Sequence, residues 1–572
     1  MRSVLLVLLA MVVGLGCAPG PRSGQAPTDA APRAQRTAAS KVLAMAIRVE
    51  PNTLAWQGLA GANSAGTVVG TQKRVFNATL AMLDPRGVAL PYLAEALPEL
   101  NTPDWQVHPD GRMTTTYHLR PNLAWHDGTP LSASDFVFSG RIYATPEYGL
   151  ARSSPWNRIE RLTAPDDRTL VIDWLAPFPD AAVLVDTLPP LPRHILQAPF
   201  QQGPTDNLPN LAFWSSEYVG LGPYRLTNWV PASFIEAEAF PGHALGRAKI
   251  DRIKLVFISD RNTVLANMLS GEVHITVDSS LKYEEGVVLQ GEWAARGGGG
   301  QALVMPAQWY VVWFQFRPEY VNPRAVLDLR IRKALAYTID RPGMNDALFG
   351  GQGFMSDTMF ASSMEGFDVI DRTLAKYGYD PRRAEQLMAE AGFDKVDGFF
   401  ASSAEGRFNG EIMVSSSTQS ERGMAIMASD WRKAGFEFQE RVIAAALVTD
   451  GQARSTFRAL GGTGASYGQT ALVGNFSTAR IPGANNRWSG NNRGGWSNPE
   501  FDRLADVLET TLDTNERLQR IAEMARIVSE EVPAISLYFN IDVVGLAAGL
   551  RGPKPVAQGS EISWDVHTWE WD

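Results

Sequence analysis

The sequence predicts an α/β protein built in more than one lobe, and three observations carry that expectation. The chain has 572 residues, more than one hydrophobic core usually serves, so two or three compact parts are expected. Its hydrophobic content of 45% and charged content of 20% are those of an ordinary globular protein. Short stretches of alternating polarity are separated by well-capped stretches of helical period, with no internal repeat of roughly 20–50 residues.

Charge narrows the function classes. The formal net charge of −9 argues against a nucleic-acid partner, which requires a basic face. No long run of like charge suggests steering of a charged macromolecule. The 16 Trp supply large flat side chains of the kind that line pockets, although core filling is their commoner use.

Taken in order, the chain begins "MRSVLLVLLAMVVGLGCAPG". One Arg, an apolar run and then small residues read as an export signal over residues 1–16, too short to span a bilayer as a stable helix. Cys17, the single cysteine, follows it directly and leaves no partner for an internal disulfide. Its place resembles the lipobox of bacterial lipoproteins, with Gly14 where that pattern has Leu, and implies lipid attachment at Cys17. Residues 17–40 are rich in Pro, Ala and Ser without hydrophobic period and read as a flexible tether. No later apolar run reaches about 18 residues, so the body is expected to lie outside the membrane. The protein is expected to be periplasmic or at the cell surface.

Residues 113–119 place Met113, Thr115, Tyr117 and Leu119 on one side of a strand. The "HPDGR" turn precedes it, and "LAWHDGTPLSASDFVFS" (123–139) follows, with Ser132 and Asp135 at capping-box spacing. His126-Asp127-Gly128 therefore falls in a tight turn. No further ligand stands at helical spacing, and no H-E-x-x-H occurs, so the pair reads as architecture and no metal site is predicted. Residues 329–341 repeat Ile331, Ala334, Leu335, Thr338 and Ile339 on one helical face. Residues 379–393 form a helix with Asp380 as N-cap, Pro381 at its first position and Gly392 at its end. In 497–509, Ser497 and Glu500 stand at capping-box spacing around Pro499. A further helix buries Leu518, Ile521, Ala525 and Val528 and stops at Pro533.

These landmarks resemble, in their order, family 5 solute-binding proteins of ABC importers, the group of dipeptide-, oligopeptide- and nickel-binding proteins. The blocks are "LPYLAEAL" (90–97), "DGRMTTTYHLRPNLAWHDGTPLSASDFVFS" (110–139), "TAPDDRTLVIDW" (163–174) and "YVGLGPYRLTNW" (218–229). They continue with "LSGEVHI" (269–275), "DLRIRKALAYTIDR" (328–341), "YGYDPRRAEQLMAEAGF" (377–393) and "SNPEFDRL" (497–504). The resemblance implies a periplasmic-binding-protein type II-like fold, two lobes around a ligand cleft with an additional domain inserted in lobe I. Lobe I would comprise 41–72, 200–304 and 536–572, the inserted domain 73–199, and lobe II 305–535. Chain crossings near 305 and 536 would form the hinge. It further implies a monomeric, cofactor-free binding component that is no enzyme, captures a peptide or similar polar solute and delivers it to an ABC permease.

By the same resemblance the cleft is lined by "IRVEPNTLAW" (47–56), with Glu50, Asn52 and Trp56, opposite "FRALGGTGASYGQTALVG" (457–474), with Thr463, Ser466 and Tyr467. Peptide binders of the group carry an acid for the ligand's amino group in this loop; Ser466 stands in its place here, and Gly462-Thr463-Gly464 replaces the usual Trp. "QWYVVWF" (308–314) would begin lobe II beside the hinge, with Trp309 and Tyr310 as candidates to face the cleft and touch the ligand. Arg487 and Arg493 lie in a polar, glycine-broken loop, where an arginine fork would suit a carboxylate. "GGGG" (297–300) lacks the Lys-Ser/Thr and helix of a phosphate loop.

A rival of another class is an exported serine esterase, because "GASYG" (464–468) matches G-x-S-x-G and Asp565 and His567 follow in triad order. That elbow requires a helix directly after it, whereas "QTALVGNFSTARIPG" is broken by Gly474 and Pro482. Asp565 and His567 also sit two residues apart rather than on separate loops. A binding-protein-derived receptor is a third reading of the same fold.

Overall fold

The structure is a computed structural model, and it describes residues 41–56, 59, 70–148, 154–184, 187–203, 207–556 and 561–572. The signal segment, Cys17 and the tether lie outside the described residues. Among the described residues, no helix is long and apolar enough to cross a membrane.

Twelve of the described strands form one mixed sheet. At one end Val42–Ile47 pairs in parallel with Arg252–Phe257 and Ile275–Thr276, and the Phe234–Ala239 and Tyr224–Val230 strands continue outward. At the other end Asn409–Ser415 pairs in parallel with both Glu437–Ile443 and Leu460–Ala465. Two long antiparallel strands, Gly300–Phe314 and Ala534–Ala547, run through both ends and join them. Their register breaks between Pro306 and Trp309 and again between Tyr310 and Val311. Each break turns the strand and re-aims its side chains. The glycine run 297–300 leads into the first of these strands.

A separate four-stranded sheet holds Met113–His118 between Trp105–Val107 and Thr169–Trp174, with Ile159–Thr163 outside. The expected alternation holds, for Met113, Thr115, Tyr117 and Leu119 are all buried. Trp174 Nε1 donates to Thr115 Oγ1 at 2.9 Å, which satisfies both polar groups inside this core. Trp125, Trp174, Trp309, Trp313, Trp431 and Trp569 are fully buried, so for these six core filling describes the indole's role.

The His126 turn is a strap. His126 Nδ1 accepts from Gly220 N at 3.1 Å, and Nε2 donates to Gly222 O at 3.0 Å. A side chain on Gly222 would meet Phe76 C at 2.4 Å, which explains why glycine stands there. Asp127 Oδ1 accepts from Thr129 N at 3.0 Å, and its other oxygen pairs with His194 Nε2 at 2.7 Å. Ser132 N donates to Asp135 Oδ2 at 2.9 Å, closing the expected capping box, while Asp135 Oδ1 receives Arg193 N at 3.0 Å. One carboxylate thus starts one helix and fixes the beginning of another.

Three helix readings need correction. The 329–341 stretch is two helices, Leu329–Tyr337 and Arg341–Phe349. Thr338 Oγ1 turns back onto Leu335 O at 2.9 Å, and Asp340 caps the second helix through Gly343 N at 3.0 Å. The expected face survives, with Ile331, Ala334, Leu335, Thr338 and Ile339 all buried. In the 497–509 stretch Asn498, not Ser497, is the cap: its Oδ1 accepts from Glu500 N and Phe501 N, both at 2.9 Å. Ser497 instead shares a hydrogen bond with Thr478. Finally, Gln469–Phe476 is helical despite Gly474. No neighbour presses on Gly474, and Asn475 Nδ2 donates back to Ser466 O at 2.8 Å to secure the helix.

Candidate ligand-binding site

The 466–468 loop, which follows the strand Leu460–Ala465, and the helix Gln469–Phe476 wall an open cavity of about 940 Å³. Ser466 is exposed at its edge, and Tyr467 lies beneath with its ring 4.8 Å from that of Phe539. The remaining wall mixes polar and apolar surface about equally, with Glu365, Gln469, Asn475, Arg480, Asn486 and Asn491 among its polar members. Leu83, Arg86 and Gly87, from the turn after the strand Ala81–Leu83, supply the facing side. Arg86 also lines a second cavity of about 950 Å³, whose walls are mainly apolar and include Phe354, Met355, Phe360, Tyr379 and Phe539. Both volumes suit a small solute, and together they offer polar and apolar surface to one ligand.

Beneath the loop three amides meet. A side chain on Gly464 would approach Gln308 Oε1 to 2.7 Å and Asn540 Nδ2 to 3.3 Å, and Gln419 Nε2 donates to Asn540 Oδ1 at 3.3 Å. Gln308 and Asn540 belong to the two long connecting strands, so this cluster sits where those strands pass under the loop.

The sequence-predicted residues separate into groups. Ser466 and Tyr467 share the cavity of about 940 Å³. Thr463 and Arg493 meet elsewhere, around a small recess that also takes in Arg454 and Ser415. Arg487 is exposed, in the left-handed conformation, and does not join them. Trp309 and Tyr310 are not cleft-facing. Trp309 packs edge-on to Trp313 at 5.8 Å and reaches only a void of about 50 Å³, while Tyr310 stacks on Tyr538 at 4.9 Å. Glu50 lines neither large cavity, since its carboxylate receives Trp229 Nε1 at 2.7 Å and Ala232 N at 2.9 Å. Asn52 is exposed outside both, and Trp56 is buried with its indole 4.4 Å from the Arg74 guanidinium.

Arg86, Arg454, Gln308 and Asn540 were not singled out by sequence reasoning. Each acquires its place through distant chain segments, and none carries a local signal.

The serine-nucleophile reading gains its strand–turn–helix frame but not its triad. No histidine lines the Ser466 cavity among the described residues. Asp565 accepts from Trp569 Nε1 at 2.8 Å, and the His567 ring lies 5.0 Å from His243. Among the described residues no group of three His, Cys, Asp or Glu is placed to hold a metal.

Against known proteins, residues 95–477 match the family of bacterial extracellular solute-binding proteins, family 5, in its middle part. A peptide-binding protein ascribed to an ABC transporter of Brucella ovis is 27% identical over 295 residues, 51% of this chain and 52% of that protein. The match thus spans about half the length of that relative. The dipeptide-binding protein of Escherichia coli K12 is 23% identical over 472 residues, covering 75% and 78% of the two chains. The structure of the oligopeptide-binding protein AppA of Bacillus subtilis with a nonapeptide superposes with a TM-score of 0.67. It does so at 18% identity over 93% of this chain and 99% of that one, a likeness of fold.

Proposed function

The chain belongs to the bacterial extracellular solute-binding proteins of family 5, and on that premise we propose that it is the substrate-binding component of an ABC importer. It captures a peptide or related polar solute and presents it to a membrane permease. The observation that carries this reading is the pair of cavities of about 940 and 950 Å³ sharing Arg86, one of mixed wall and one mainly apolar.

We divide the body into lobe I (41–72, 200–304, 536–572) with an inserted domain (73–199), and lobe II (305–535). The strands Gly300–Phe314 and Ala534–Ala547 are the crossings, and their register breaks supply the places where a change of backbone angle is least costly. A solute touching both lobes stabilises the closed state by its extra contacts there, and the permease reads that shift. Export and lipidation at Cys17 would hold the protein beside the permease, with 17–40 as its tether.

Ser466 fixes an expectation about the solute. A hydroxyl offers an ammonium a neutral hydrogen bond, about half as strong as one from a carboxylate. The protein is therefore expected to favour ligands without a free amino terminus. Calorimetric titration with matched free and N-acetylated di- and tripeptides tests this. Comparable or tighter binding of the acetylated forms supports the reading; binding of free forms that is lost on acetylation overturns it.

A further inference from the structure

The cavity of about 950 Å³ lies where distant parts of the fold meet. Val304 and Pro306 of one crossing strand and Phe539 of the other line it, with Arg86 from a hairpin turn and Val556 from the C-terminal stretch. Among the described residues, the cavity beside Ser466 takes none from either crossing strand. Six aromatic rings gather on the apolar wall: Phe354, Phe360, Phe367, Tyr377, Tyr379 and Phe539. Sheet pairing sets Phe354 opposite Phe539 and Met355 opposite Tyr538. Several polar groups of the wall are spent on the protein itself. Lys376 Nζ pairs with Asp371 at 2.7 Å. Arg341 donates to Ser536 O at 2.8 and 3.2 Å and to Tyr377 O at 3.1 Å, and the Tyr377 hydroxyl donates to Ser529 O at 2.9 Å. A further void of about 50 Å³ shares Thr358, Phe360 and Tyr377 with this cavity, so packing behind the wall is loose.

Phe354, Met355 and Phe367 are only half-buried, and they leave apolar surface open inside a volume at the upper end of the roughly 300–1,000 Å³ that holds drug-sized ligands. Water there finds few partners, so its exchange for an apolar body is favourable in proportion to the area covered. One amino-acid side chain is too small to cover six rings. Rings favour offset or edge-on contact with other rings, and a rigid ring system gives up less freedom on entry than an alkyl chain. We propose that this cavity is a subsite for a flat apolar ring system, larger than an amino-acid side chain, carried by the captured solute. Resting on the solute-binding reading above, this makes the solute an amphiphile. Its ring end lies against the crossing strands, and its polar end passes Arg86 into the cavity beside Ser466. A peptide with an enlarged aromatic side chain and a non-peptide aromatic both satisfy this chemistry, and the test separates them.

Wild type, Met355→Glu and Tyr379→Ala are compared by calorimetry with N-acetylated tripeptide amides whose middle residue carries no side chain, a naphthyl ring or a linear octyl chain. N-phenylnaphthylamine, an uncharged dye that brightens in apolar surroundings, is the non-peptide probe. The naphthyl peptide is expected to bind wild type at least about tenfold more tightly than the glycine peptide, and more tightly than the octyl one. Met355→Glu sets a charge in the wall and is expected to abolish that preference. Tyr379→Ala, at a position 55% exposed, is expected to reduce it about threefold without lowering the melting temperature. The preference is a ratio of two affinities on one variant, so a general loss of stability leaves it in place. The dye is expected to brighten with wild type, to be displaced by the naphthyl peptide and to stay dark with Met355→Glu. Equal binding of the glycine and naphthyl peptides, with a dark dye, overturns the subsite while leaving solute binding intact. An octyl peptide bound as tightly as the naphthyl one overturns the assignment to rings. Dye brightening that Met355→Glu abolishes, with no peptide bound, retains the ring subsite and counts against peptide capture.

Discussion

His126 and Asp127 show how a pair that looks chemical serves a turn. Each polar atom of the His126 ring is engaged by the backbone of 220–222, and burial holds its pKa down at about 4. Asp127→Ala removes the Thr129 and His194 bonds and is expected to cost about 1 kcal/mol in urea unfolding, with tripeptide affinity unchanged. His243, buried, and His567, partly buried, are likewise held by burial at a pKa of about 4. The unfolded chain therefore takes up protons that the folded one refuses, and stability present above pH 6.5 is lost as the pH falls toward 4. Asp278 acts oppositely. Burial, reinforced by Glu561, raises its pKa to about 7, so the folded state holds a proton between about pH 4 and 7 that the unfolded state releases. Its contribution fades as the pH rises through 7. Asp278→Asn removes that opposing term, and the melting temperature is then expected to fall more steeply between pH 6.5 and 4 than in wild type. At this scale Ser466 was legible, because the loop pattern marks it. Arg454 was not, since only the fold brings it beside Arg493.

Among the elements, the strand Leu460–Ala465 carries the most consequence. Gly464 lets Gln308 and Asn540 close beneath the loop, and the obstructing atoms are ends of flexible side chains that can yield. Gly464→Val is accordingly expected to shift stability by no more than about 1 kcal/mol, yet to weaken tripeptide binding about tenfold by displacing the amides. Equal affinity in calorimetry would remove this strand from the site. Local signals were read correctly where the partner is a neighbour in sequence: Asp380 caps through Arg383 N at 3.0 Å, and Gly392 ends the stretch in the left-handed conformation. They misled where two local solutions compete. Asn498 outbids Ser497 because its longer side chain reaches two amides, and Gly474 is tolerated because nothing crowds it. The resemblance placed both crossings, near 305 and 536, at the hinge, but their antiparallel pairing and its register breaks carry no local signal, since they join residues more than 200 apart.

For the whole molecule, Cys17→Ala is expected to move the protein from the membrane fraction to the soluble exported fraction; retention, with no lipid mass on wild type, would remove the anchor. The order of the family's sequence blocks made the two-lobed fold legible, while the contents of the cleft depend on which distant loops meet there. The central claim is that capturing a solute draws the lobes together about the strands Gly300–Phe314 and Ala534–Ala547. Spin labels on the exposed positions Glu272→Cys and Arg432→Cys, in a Cys17→Ala background, report the distance between the lobes by pulsed electron resonance. With a saturating N-acetylated tripeptide the distance distribution is expected to shift to shorter values and narrow, returning on dialysis. A distribution unchanged while calorimetry records the same tripeptide bound would contradict the account.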